Sequence, residues 1–304
     1  MLTSTQTYAQ ILSKESHRYG EALWYFALAH RTEKVREVLN LLIAYSLLHS
    51  AAYPAEKELD EELKDLLRKR TETLERRAKQ DLEAAQLLGR MLSGYATLRK
   101  FYELRDGGRV DEMSGSKAVT VKKQAALALV AVISSADDNI RGGLYDEGRD
   151  AVVCEDFLLA LLGEATALVN QSPVLISLDQ IDVLLKAIED IQTVGSRVYE
   201  PCDGFFDLVL ASCQGLRGST PADLMQKSTN SLSGSSYIMS GSSMLASHLH
   251  RSTAGAGKLH RGWDWRKAWM ANTKGEDVLR KLRLGLAKDL AALWLEGADG
   301  VAAH

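Results

Sequence analysis

Glu33-Lys-Val-Arg-Glu-Val-Leu-Asn-Leu-Leu-Ile-Ala-Tyr-Ser-Leu-Leu-His-Ser50 is the stretch that decides the fold class. Val35, Val38, Leu39, Leu42, Ile43, Ser46 and Leu47 recur at steps of three and four, the period of one helix face. Just before it, Tyr8 to His30 reads as another helix, with Gly20 as a candidate break. The second half of that helix, Ala22 to Ala29, is apolar on most sides and is expected to be deeply buried. Only the polar turn Arg31-Thr32 separates the two, and so short a link predicts an antiparallel hairpin.

Moving outward, Pro54 closes the hairpin and opens a charged segment from Glu56 to Asp81. Leu59, Leu63, Leu66, Leu67, Leu74, Ala78 and Leu82 form a narrow apolar stripe through it. Asp60/Lys64, Asp65/Lys69, Glu72/Arg76 and Glu75/Lys79 are acid-before-base pairs one helical turn apart, the stabilising order. The stripe continues through Leu87, Leu88, Met91, Leu92, Tyr95, Leu98, Phe101 and Tyr102. One helix from Pro54 to Asp106 would be about 80 Å long at 1.5 Å per residue. A compact domain cannot hold such a rod, so a bend is expected at Gly89 or Gly94.

Asp106 to Ser116 reads as a polar loop, Ala118 to Ile140 as a helix stopped by Gly142-Gly143, and Ala151 to Asn170 as the central buried helix. Ser177-Leu-Asp-Gln180 and Thr273-Lys-Gly-Glu276 match capping boxes, and Thr220-Pro221 is a further helix start. Phe205 to Cys213 is a short apolar helix. No convincing strand pattern and no internal repeat appears. The expected architecture is all-α, an irregular stack of antiparallel helix hairpins, bundle-like or like a short α-solenoid. Residues 1–226 form the helical domain. Residues 227–260 are dominated by Ser, Gly and Thr and are expected to be a long flexible loop. Residues 261–304 return as a C-terminal helix that docks on the helical domain.

Composition agrees with this reading. Of 304 residues, 46 % are hydrophobic and 4 are proline, which suits a large helical core with little turn punctuation. A net charge of −3 gives no global attraction to nucleic acid or anionic membranes. Cys154, Cys202 and Cys213 form no CxxC pair, so neither a zinc site nor a disulfide framework is expected. The first residues lack a secretory pattern, and no apolar run reads as long enough to span a bilayer. Cytoplasm or nucleus is the expected compartment.

Signals for chemistry are sparse. Neither GxxxxGK[ST] nor GxGxxG occurs. The densest acidic segment is Asp137-Asp138-Asn-Ile-Arg-Gly-Gly-Leu-Tyr-Asp146-Glu147, with Asp150 beyond. An aspartate pair on a helix of an all-α chain resembles isoprenoid-handling enzymes, and that resemblance would imply magnesium-held diphosphate. Arg141 stands where a third carboxylate would be wanted, and no second acidic motif is visible. His248, His250 and His260 fall in or beside the Ser/Gly-rich loop, a poor platform for catalysis. The basic run from Arg68 to Lys79 is an alternative nucleic-acid face, but interleaved acids favour a solvated helix side. Two features suit contact with other proteins. Trp263, Trp265 and Trp269 cluster with Arg266, in residue types enriched at interaction hot spots. The helix after Thr273 carries Arg280 and Arg283 opposite a leucine stripe. The competing reading is that the tryptophans tuck the returning chain onto the core. The function expected is therefore a non-catalytic scaffold or adaptor. It binds other protein subunits in a larger assembly and needs no cofactor and no metal.

Overall fold

The helical periodicity is realised along the chain. The computed structural model describes residues 17–107, 115–140, 152–214, 264–270 and 272–302, and every regular element among them is helical. We number the helices α1 (Tyr19–Leu28), α2 (Thr32–His49), α3 (Glu61–Arg68), α4 (Arg70–Ala78), α5 (Leu82–Asp106), α6 (Gly115–Ile140), α7 (Leu158–Ala165), α8 (Leu178–Thr193), α9 (Ser196–Gln214) and α10 (Gly275–Ala302). The expected Ser/Gly-rich loop at 227–260, the helix start at Thr220 and the N-terminal part of the first expected helix lie outside the described residues.

The first two helices form the expected hairpin, turning at His30, whose φ is 51°. Their apolar positions are almost wholly buried, including Leu23, Trp24, Phe26, Leu42, Ile43 and Tyr45. The described part of the first expected helix begins at Tyr19, beside Gly20, after His17 at φ 55°. Asp60 accepts from Leu63 N at 3.0 Å as the cap of α3 and from Gly20 N at 2.9 Å, and this carboxylate holds α3 against α1.

The long rod from 54 to 106 is divided, but not at the expected glycines. The chain breaks at Lys69 and again before Leu82, where Asp81 caps α5 through Ala84 N at 2.9 Å. Gly89 and Gly94 lie inside the unbroken α5. Their missing side chains admit neighbours: an added Cβ would come within 2.9 Å of Leu74 at Gly89 and 2.5 Å of Val153 at Gly94. The expected bend is therefore absent at both glycines, which serve close packing instead.

Helices α5 and α6 form the central pair. The α1–α2 hairpin and α4 lean on α5, while α7 and α8 lean on α6. The central buried helix is α7, and it is shorter than expected. A 3-10 turn at Glu155–Phe157 leads into it, and successive three-residue bonds end it, such as Thr166 N to Gly163 O at 3.1 Å. All eight residues from Leu158 to Ala165 are buried, with α6, α9 and α10 packed around them. The capping box at Ser177 is present, with both Ser177 and Gln180 bonds made. The box at Thr273 is not: Thr273 Oγ1 accepts from Met270 N at 3.1 Å, and Asp277 reaches back to Lys274 N at 3.3 Å. Helix α9 extends further toward the N-terminus than the apolar run Phe205–Cys213, because Pro201 is accommodated within its early turns.

One expectation about membranes is corrected. Ser116–Ile140 is long and apolar enough to cross a bilayer by length and composition, with mean hydropathy 1.4. This helix is two-sided. Ala125, Ala126, Leu129, Val132, Ile133 and Ala136 are buried in the packing with α5, α7 and α8, whereas Lys123, Gln124, Leu127 and Ala131 are exposed. That pattern is the core-facing helix of a stack.

Gly163 gives a test of how tightly the centre is packed. A Cβ there would lie 2.4 Å from the Trp265 ring. Gly163→Ala is expected to push the indole out of its seat and cost about 1–3 kcal/mol, read by chemical denaturation together with tryptophan fluorescence. An unchanged midpoint would show that the seat is loose.

Candidate functional site: a buried polar hub and the exposed face of the last helix

Helix α2 ends inside the protein. A helix C-terminus leaves carbonyls without intrahelical partners, and burying them unpaired is costly. Here Ser50 takes a left-handed conformation at φ 45°, and two arginines from distant parts of the chain supply the missing donors. Arg266 Nη1 donates to Leu48 O at 2.7 Å, and Ser212 Oγ donates to the same oxygen at 2.8 Å. Arg105 donates to Ser50 O through Nη2 and to Ser50 Oγ through Nη1 at 2.6 Å. The positive charges also suit the negative end of the helix dipole.

Two buried guanidinium groups need counter-charges. Asp264 holds Arg266 in a two-pronged pair, both contacts at 2.9 Å. Arg105 pairs with Asp106 at 2.8 Å and with Glu164 at 3.4 Å. Glu164 is fully buried and also accepts from Tyr102 OH at 2.9 Å and Ser50 Oγ at 3.0 Å. Burial pushes the Glu164 carboxyl above its usual range, and Arg105 and Arg266 oppose that shift. The Tyr102 hydroxyl is pushed up by burial and by Glu164. One hub thus joins α2, α5, α7, α9 and the strap at 264–270.

The tryptophan cluster divides. Trp263 lies outside the described residues. Trp265 is 3 % exposed, stacked on Phe206 at 5.9 Å between ring centres, and Arg266 is 2 % exposed in the hub. Both are therefore corrected from partner contacts to core residues, since neither reaches the surface. They fasten the returning chain. Trp269 is half-buried under Lys281, whose Nζ stands 4.7 Å from the ring centre. Arg280 and Arg283 are exposed on the outer side of α10. Leu284, Trp294 and Leu295 are exposed on the same helix, beside the basic residues that the sequence marks for contact.

The alternative chemistries find little support. Lys186 Nζ stands 3.5 Å from Asp137 and 3.9 Å from Asp138, so an ammonium already occupies the place of a cation. Among the described residues no three His, Cys, Asp or Glu side chains gather around a metal-sized space; Asp146, Glu147 and Asp150 lie outside them. On the basic face, Arg68 pairs with Glu56, Arg77 pairs with Glu62 at 2.8 Å and lies over Trp24, and Arg76 is 3.8 Å from both Glu62 and Asp65. These cations bind the chain's own acids. Burial and the neighbouring acids hold the Cys154 thiol well above its usual value, so it is not an activated nucleophile.

No family model matches the chain. It is 55 % identical to the protein named Nucleoporin NUP85 of Chaetomium thermophilum over 318 residues, an alignment that takes in 98 % of this chain. The same alignment takes in 27 % of that protein, so the chain spans about a quarter of the length of the relative it matches.

The hub predicts a sharp non-additivity. Arg105→Met leaves Glu164 without its nearest cation and Ser50 O without a donor, and should cost about 3–5 kcal/mol. Adding Glu164→Gln should recover part of that loss, so the pair couples in a double-mutant cycle of denaturation midpoints. In Arg105→Met the Glu164 carboxyl is raised further, and a folded state with a raised acid is stabilised as pH falls. The deficit should therefore shrink between neutral and mildly acidic pH. Additive effects and a pH-independent deficit would contradict the hub.

Proposed function

We propose that the chain is a non-catalytic helical scaffold segment of a nuclear-pore subunit, which holds neighbouring nucleoporins through its helix surfaces. The observation that carries this is the 55 % identity to Nucleoporin NUP85 along 98 % of the chain. The helical architecture of the described residues is compatible with a scaffold. The disposition of polar groups supports the same reading. The buried ionisable groups Glu164, Arg105, Arg266 and Asp264 are spent on one another and on backbone carbonyls. The proposed location is the nuclear envelope at its pores, a narrower statement than cytoplasm or nucleus.

The test is direct. A tagged copy of the chain, expressed in the source cells, is expected to co-purify with other nucleoporins in stoichiometric amount, and a fluorescent fusion should mark the nuclear rim in puncta. Reproducible recovery as a lone protein with diffuse fluorescence would contradict the proposal.

A further inference from the structure

Helix α10 has two differently employed faces. Val278, Leu279, Leu282 and Leu286 are fully buried, and the helix packs on α7 and α8. On the other side Leu284, Ala287, Ala291 and Trp294 are all exposed, at alternating steps of three and four, with Leu295 beside them. These are the steps of the a and d positions of a heptad. Leu284 is 60 % exposed, Trp294 72 % and Leu295 68 %. Single exposed hydrophobics are ordinary, but five apolar residues aligned on one helix face are not.

Among the described side chains, the exposed charges around this stripe have one sign. From Arg280 to Leu295 the exposed charged residues are Arg280, Lys281, Arg283 and Lys288. The one acid in that span, Asp289, is buried and accepts from Asn170 N at 3.0 Å. Glu276 and Asp277 are confined to the first turn, and Asp277 stands 3.7 Å from Arg280. Arg283 and Lys288 fall at the flanking g and e positions, which set partner choice in paired helices. A second copy of this helix would bring Arg283 and Lys288 against like charges in either orientation, so the stripe is disfavoured for self-pairing.

We infer that the outer face of α10 is a docking surface for an amphipathic helix of another protein, one that carries acidic residues on either side of its apolar ridge. This rests on the scaffold reading and names the surface and the chemistry of the partner. Trp294 and Leu284 are the anchors, the two alanines let the partner helix approach closely, and Arg283 and Lys288 select acidic flanks.

The experiment uses the full chain and two synthetic helical peptides with leucine at every a and d position, one with glutamate and one with lysine at e and g. Binding is read by fluorescence anisotropy at two salt concentrations. The glutamate peptide is expected to bind at least about tenfold more tightly than the lysine peptide, with the difference narrowing at high salt. Leu284→Ala with Trp294→Ala should weaken it about tenfold or more. Arg283→Glu with Lys288→Glu should reverse the preference. Because these positions are exposed, the variants should melt with the parent chain. Equal binding of both peptides, binding of neither, a preference unmoved by charge reversal, or self-association abolished by Trp294→Ala would each overturn the inference. Those outcomes leave the co-purification result untouched, so failure of this surface and failure of the scaffold reading are separable.

Discussion

A helix end buried at the centre of a protein must find donors for its last carbonyls, and the packing of this chain follows from how α2 does so. Its last turn runs into the interior, where Leu48, Ser50 and Ala51 are buried. Arg105, from the end of α5, and Arg266, from the strap before α10, reach the carbonyls of Ser50 and Leu48. Each arginine must then be neutralised. Asp264 and Glu164 are placed accordingly, and Glu164 sits in α7, the most buried helix. Thus one unmet backbone requirement fixes the relative positions of α2, α5, α7, α9 and the strap.

Such a hub is not expected to add much net stability, because desolvating charged groups costs about as much as their attraction returns. Its effect is on uniqueness. Any slide of α7 along α2 would leave Glu164 or a guanidinium buried without a partner, an alternative several kcal/mol less favourable. The apolar contacts around it, Trp265 on Gly163 and Phe206, are matched to that single register. A segment that must hold other proteins in fixed positions benefits from one well-defined arrangement. The surface left over by this packing includes the outer face of α10, with its leucine, alanine and tryptophan stripe between cations.

Helix existence was legible in the sequence because each stripe repeats locally. Val35 to Leu47 and Ile181 to Ile191 are buried where their spacing places them. Breaks were less legible. Gly89 and Gly94 look like hinges in one dimension, yet their meaning depends on Leu74 and Val153, which meet them only in the fold. The hub is long-range in the same way: Leu48 and Arg266 are joined across 218 positions of the chain. One local signal did point to it. Glu164 stands alone in Leu158-Leu-Ala-Leu-Leu-Gly-Glu-Ala165, and a carboxylate in so apolar a helix requires a partner. The tryptophan cluster was legible as important but ambiguous in role. Burial assigns Trp265 and Arg266 to the core, whereas the contact surface of α10 lies one helix further on.

The central claim is that the strap, α7 and the end of α2 are one cooperative unit tied by buried charge. Native-state hydrogen exchange measures this most directly, because it resolves the opening free energy of each segment. The account predicts that the amides of residues 264–270, of α7 and of the last turn of α2 open together, with one free energy and one denaturant dependence. Exchange of the strap through a separate, lower-energy opening, while α7 and the end of α2 stay protected, would contradict it.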